Sequence, residues 1–319
     1  MTAFASFMLK DASSARTRAA ARPAAALGAS AWLERHARLI LPLPAVLATL
    51  LMIAGPFAYT IWMSFQDWTI SSTTPPRFNG LANYLSLFTA DPRFGNAVLI
   101  TFYFTLLGVT LQTFLGVTLA LLFNRQFWGR GLLRTLAILP MVATPVAIAL
   151  IFVMMYHPTL GVLNYFVTSL GLPLATWTYA SHTVIPALVL VDTWQWTPLI
   201  MLIVLAGLAA LPRDPYESAV IDGAGRWQLL WYITLPLVRP AIVTAVLFRL
   251  IDSLKTFDII FVMTQGGPGG ASETINLYLF NLAFSYFHMG QASSMVVVFF
   301  AIILGVALIA VRVRRGIWA

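Results

Sequence analysis

Two short stretches hold most of the side chains that could do chemistry in an otherwise apolar chain. In the first, Asp192-Thr193-Trp194-Gln195-Trp196-Thr197-Pro198, a carboxylate, an amide and hydroxyls alternate with two indoles. Flat apolar faces beside groups that bind hydroxyls are what a carbohydrate site needs. Asp192, Trp194, Gln195, Trp196 and Thr197 therefore form a candidate substrate pathway. Tryptophans serving as packing or interface anchors are the competing reading. In the second stretch, Arg249, Asp252, Lys255 and Asp258 fall within ten residues. Asp252 lies three residues from both Arg249 and Lys255, so it can pair with either across one turn. Nothing in the sequence points to catalysis. Cysteine is absent, and His36, His157, His182 and His288 have no ligand-like spacing, so no metal site is expected. No Gly-rich phosphate loop ending in Lys-Ser or Lys-Thr occurs, and lysine is found only at Lys10 and Lys255. The chain is read as having no ATPase site and no cofactor of its own.

The elements that must position these groups are membrane helices. Of the 319 residues 60% are hydrophobic and 9% charged, against roughly 25% charged in soluble domains. The net charge of +8 would suit nucleic acid, but the basic residues sit between apolar runs instead of on one face. Residues 1–38 read as a flexible basic tail, rich in Ala, Ser and Arg. Six spans are expected in an all-α polytopic domain over 39–312, at about 39–65, 97–123, 135–156, 183–210, 241–264 and 292–311, with a short tail at 313–319. The second is the cleanest, 27 residues without a charge, about 40 Å if helical. Gly108 and Gly116 give it slim positions for close packing. Pro140 and Pro145 should bend the third span. Residues 157–183 hold no charge but carry Pro158, Gly161, Gly171 and Pro173, and read as a re-entrant or surface segment.

Between the fourth and fifth spans lies a polar loop over 211–240 with a helix start. Asp214 is placed to act as N-cap, Pro215 to occupy the first helical position, and Glu217 to close a capping box. Tyr216, Ala219, Val220 and Gly223 then share one face of a two-turn helix. Two turns are not stable alone, so the helix must dock on something or lie on the membrane surface.

Glu217, Gly223, Ile233, Leu235 and Pro236 resemble the Glu-Ala-Ala…Gly…Ile-x-Leu-Pro loop of bacterial ATP-binding-cassette (ABC) importer permeases. Six residues separate Glu217 from Gly223 and ten separate Gly223 from Ile233; Ala219 matches, and Ser218 replaces the usual Ala. Asn83-Tyr84-Leu85-x-Leu87-Phe88 and the run Phe257-Asp258-x-Ile260…Thr264-Gln265-Gly266-Gly267-Pro268 resemble segments of the sugar-uptake branch, on the side of the larger maltose and glycerol-phosphate permeases. The resemblance implies a type I importer transmembrane fold and a coupling helix, with Asp214, Tyr216, Glu217, Ala219, Val220, Asp222 and Gly223 in the docking loop. It implies a homologous second permease, two copies of a cytoplasmic ATPase that bind ATP and Mg2+, an external solute-binding protein and a sugar-like solute. An ion-coupled secondary transporter, favoured by the charged group near 249–258, and a non-transporting scaffold that uses Asp192, Asp252 and Asp258 as helix–helix glue are the alternatives.

Orientation follows from the arginines and lysines. Fifteen lie in the tail, the turn 125–134, the loop 211–240 and the C-terminus, whereas Arg77 and Arg93 mark the other side. Basic loops face the cytoplasm, so both termini and the docking loop are expected there, in a bacterial inner membrane. Cysteines introduced as S13C and S218C should be protected from an impermeant thiol reagent in intact cells, and S72C should react; labelling of S13C from outside overturns this orientation.

Overall fold

The computed structural model describes residue 38 and residues 41–71 and 73–318. The tail expected over 1–38 lies outside the described residues apart from Arg38, as do residues 39–40, Ser72 and Ala319. Among the described residues the fold is all-α except for one two-residue antiparallel ribbon, β1 (Gln66–Asp67) with β2 (Arg77–Phe78). Its helices are α1 (Leu43–Ser64), α2 (Ala82–Thr89), α3 (Pro92–Asn124), α4 (Arg130–Val142), α5 (Pro145–Met155), α6 (Val162–Ser169), α7 (Val184–Ala209), α8 (Asp214–Ile221), α9 (Arg226–Leu254), α10 (Asp258–Thr264), α11 (Ile275–Ser285) and α12 (Met289–Trp318). Five of these are long and apolar enough to cross a membrane; α4 and α5, bent by 97°, make a sixth span if taken together.

Several boundaries differ from expectation for identifiable reasons. The third span breaks at Ala143 and Thr144, which are extended, because Pro145 starts a new helix without an N–H to continue the old ladder. The fifth begins at Arg226 instead of 241, running through Pro236 and Pro240, and stops at Leu254; Asp258–Thr264 is a separate helix. A π-helical turn over Leu229–Thr234 carries the chain into Pro236, with Leu235 N–H donating to the Leu230 carbonyl and the Thr234 hydroxyl to that of Leu229 at 3.1 Å. Arg312 and Arg314 do not end α12; arginine is a good helix former, so charge ends the apolar run and not the helix.

The centre of the bundle is α7. It is apolar around its whole circumference and correspondingly buried, with α3, α4 and α9 against it. One core cluster joins Phe104, Ile148, Tyr156, Leu188 and Ile260; another joins Phe123, Ile200, Met201, Val204 and Val238. A third binds α11 and α12 through Ile275, Tyr278 and Met295. The segment 157–183 is no span: Asn164 on α6 donates to the Pro158 and Ala175 carbonyls and accepts from the Trp177 indole N–H at 2.9 Å, tying its loop down.

Close approach of α3 to α7 depends on Gly116, where a Cβ would lie 2.8 Å from the Ile200 side chain. Gly116→Val should cost about 1–3 kcal/mol through overpacking, seen as loss of monodisperse protein in fluorescence-detected size exclusion. Gly95→Ala, where a Cβ meets nothing within 4 Å, should be silent.

Candidate functional site

Arg249 is completely buried at the meeting of α3, α7 and α9. Every arm of its guanidinium is used. Nε donates to Gln112 Oε1 at 2.7 Å, Nη2 to Asp192 Oδ2 at 2.5 Å, and Nη1 to Asp252 Oδ2 at 2.7 Å. Gln112 Nε2 closes the ring by donating to Asp192 Oδ2 at 2.7 Å, and the Trp196 ring lies 5.3 Å from the guanidinium carbon. Gly108 lines the node, where a Cβ would meet Asp192 Oδ2 at an ordinary contact distance of 3.5 Å. A charge so far from water is tolerable only when paired and hydrogen-bonded throughout. Arginine suits the place because its planar fork holds several acceptors at once.

The charged group near 249–258 therefore divides. Asp252 pairs with Arg249, one of the two partners expected, and its side chain is half exposed. Lys255 and Asp258 are exposed, and among the described residues neither forms an ion pair. Asp258 stands in the first turn of α10, where the helix dipole favours its charge. The candidate pathway on α7 divides as well. Asp192 and Gln195 are buried, one held by Arg249 and Gln112, the other donating from Nε2 to the Ala143 carbonyl at 3.3 Å. Thr197 donates to the Thr193 carbonyl of its own helix at 2.6 Å. Trp194 is half exposed and packs edge-on against Phe152, and Trp196 is partly exposed.

In the docking loop α8 forms, but without the expected capping box. Arg213 has helical dihedrals, and its carbonyl already accepts from Tyr216 and Glu217 N–H, at 2.9 and 3.1 Å. Asp214 is thus inside the first turn, where it and Glu217 act on the helix dipole and not as caps. The other end closes firmly. Gly223 N–H donates to the Val220 carbonyl and Ala224 N–H to that of Ala219, at 3.0 and 2.9 Å, a Schellman ending with Gly223 at φ +81°. Gly223 is therefore past the helical face of Tyr216, Ala219 and Val220, and its left-handed backbone explains the glycine. The Tyr216 hydroxyl lies 3.2 Å from Thr234 Oγ1, joining α8 to the π turn of α9. Ala219, Asp222, Gly223, Gln228, Tyr232 and Ile233 surround an open cleft of about 320 Å³. Leu235 and Pro236 enter the straight part of α9 behind it.

Sequence reasoning passed over Gln112, the one amide in the apolar run 97–123; that isolation was the available signal. It also passed over the pairing of Arg93 with Glu273 at 2.8 Å, which fastens the start of α3 to the loop before α11. Among the described residues no three His, Cys, Asp or Glu converge as a metal site.

Asp192→Ala leaves the Arg249 charge buried and short of its main partner and should cost about 3–5 kcal/mol, read as loss of folded permease in detergent extracts. The double replacement Asp192→Leu, Arg249→Met should recover most of it. Asp252→Ala should cost about 1 kcal/mol or less, because that carboxylate is half exposed.

Comparison with known proteins gives a consistent assignment. Residues 112–317 match the model of the family described as binding-protein-dependent transport system inner membrane component. The chain is 36% identical over 287 residues to the trehalose/maltose transport system permease protein MalF of Thermococcus litoralis, covering 88% of this chain and 95% of that one. It is 35% identical to the sulfoquinovosyl glycerol transport system permease protein SmoG of Agrobacterium fabrum, covering 89% and 93%. A solved bacterial alginate ABC transporter contains a chain of the same fold, with TM-score 0.77 at 23% identity, covering 89% and 96%. The chain belongs to the binding-protein-dependent transport system inner membrane component family, as a multi-pass inner-membrane permease subunit of an ABC importer.

Proposed function

We propose that this permease forms half of the pathway for a sugar or sugar derivative, polyols included, and is driven through α8 by a cytoplasmic ATPase. The observation that carries the proposal is the docking loop: an exposed short helix, ended by a Schellman motif and joined to α9 through Tyr216 and Thr234. Such a helix is a lever with one rigid attachment, as an ATP-driven bistable bundle requires. Asp214, Tyr216, Glu217, Ala219, Val220, Asp222, Gly223, Ile233, Leu235 and Pro236 make up the docking element. A second, homologous permease completes the pathway, two ATPase subunits bind ATP and Mg2+, and a solute-binding protein delivers the solute from outside. The arginine asymmetry supports cytoplasmic termini and a cytoplasmic loop 211–240 within a permease domain of 39–312.

The solute class rests on the transport systems of trehalose, maltose and sulfoquinovosyl glycerol that its relatives serve. Within this chain, Trp194 and Trp196 keep ring surface free for sugar C–H faces. Asp192, Gln195 and Thr197 are engaged with protein. Exposed charge at membrane depth belongs in a wet cavity, which makes Asp252, Lys255 and Asp258 the polar side of the pathway. The direct test is hydrolysis by the purified complex with its binding protein, across disaccharides, polyols and sulfonated or phosphorylated sugars. Stimulation by at least one of these is expected, and none by amino acids.

Gly223→Leu meets a backbone that L side chains avoid at about 1–2 kcal/mol, so ATPase docking should weaken about tenfold. Gly223→Asn, which tolerates left-handed dihedrals, should lose less than threefold. Because Glu217 caps nothing, it is free to pair with a basic group of the ATPase, and Glu217→Gln should lower solute-stimulated hydrolysis with the permease intact. Co-purified ATPase and stimulated hydrolysis are measured in one preparation; wild-type values for Gly223→Leu remove the loop from the mechanism.

A further inference from the structure

One span of this bundle is broken along its length and another, α9, gives way to the short helix α10, and at each interruption a carbonyl is taken by an amide side chain from another helix. Between α4 and α5, Ala143 and Thr144 are extended and Pro145 has no N–H to offer. The Ala143 carbonyl accepts instead from Gln195 Nε2 of α7. Between α9 and α10 the helix is interrupted at residues 255–257, and the Lys255 carbonyl accepts from Asn276 Nδ2 of α11 at 2.6 Å. Interrupted backbone at membrane depth persists only where protein or water satisfies it.

The two breaks belong to one assembly. The pieces beyond them, α5 and α10, pack against each other. Before them, Gln195 lies one turn along α7 from Asp192, and Lys255 lies less than two turns beyond Arg249 on α9. The buried Asp192–Arg249 pair joins those two helices, and α9 begins beside the docking loop. Gln195 is also incompletely satisfied: its Oε1 is buried and, among the described residues, has no partner. A buried amide with an idle acceptor calls for an explanation, and a second arrangement in which Oε1 meets a donor supplies one.

We propose that Gln195 and Asn276 are positioning residues that set the angles at the two interruptions, holding α5 and α10 as one hinged unit that changes angle during the ATP cycle. This rests on the importer reading given above. The alternative is that both amides merely fill their sites.

The test uses the whole complex in nanodiscs, with the partner subunits' cysteines replaced; this chain has none of its own. Spin labels at L136C and M154C, both on exposed positions, report the α4–α5 angle, and labels at F248C and M263C report the α9–α10 angle. Distances are measured without nucleotide and after trapping with ATP and orthovanadate. The unsubstituted complex should give narrow distributions that shift on trapping. Gln195→Met should broaden the first distribution without nucleotide and abolish its shift, and Asn276→Leu should do the same to the second. Both variants should retain the ATPase at the unsubstituted level. Distributions that superimpose on the unsubstituted ones in both states overturn the proposal, and so does loss of the ATPase, which would mark the amides as packing groups. Distances in the unsubstituted complex that ignore ATP overturn the hinge as well, whereas failure of the ATP-driven reading shows separately, as hydrolysis that the loaded binding protein does not stimulate.

Discussion

A guanidinium buried where α3, α7 and α9 meet imposes the strictest condition on this bundle. Its charge cannot be left without acceptors in a dry interior, so Gln112 and Asp192 must arrive together whenever Arg249 is inside. That requirement fixes the rotation of three helices about their own axes, which apolar packing alone leaves loosely specified. Close approach of α3 to α7 is secured further along by Gly116, which admits Ile200. The cost of burying the charge falls on stability; the return is one register among helices whose lipid-facing surfaces are interchangeable.

The same helix serves two ends. From Arg226 to Leu254 α9 runs 29 residues, about 43 Å at the usual rise. One end is joined to α8 through the Tyr216–Thr234 contact; the other holds the buried arginine. A displacement imposed on the docking loop therefore reaches the charge node through a continuous helix. The ion-coupled alternative loses one of its carboxylates here, and Arg249 with it. Asp192 is buried and committed to Arg249 and Gln112, so it faces no water from which an ion could reach it. A scaffold role leaves the exposed, firmly ended α8 without a use.

Much of this was legible in the sequence because the relevant rules are local. Apolar runs marked the helices, and the Asp214-Pro215 start marked the short helix α8. The three-residue offset of Arg249 and Asp252 marked their pairing. What escaped was set by distance along the chain. Asp192 lies 57 residues from Arg249 and Gln112 lies 137 away, and no periodicity links them. Asp192 therefore read as a pathway group, when its true neighbour is the arginine. The capping box failed for a finer reason: Arg213 adopted helical dihedrals one residue early, a choice that residue types alone do not decide. Gly223 read as part of the helical face, whereas its positive φ places it at the Schellman ending just beyond that face.

The central claim is that ATP acting on the cytoplasmic docking face drives solute inward through this permease. Proteoliposomes holding the complete complex, with ATP sealed on the face of α8 and loaded binding protein on the other, test it most directly. Accumulation of labelled solute that needs hydrolysable ATP on that face, and persists after proton and sodium gradients are collapsed, is the expected result. Uptake that proceeds without ATP and follows an imposed proton or sodium gradient contradicts the claim.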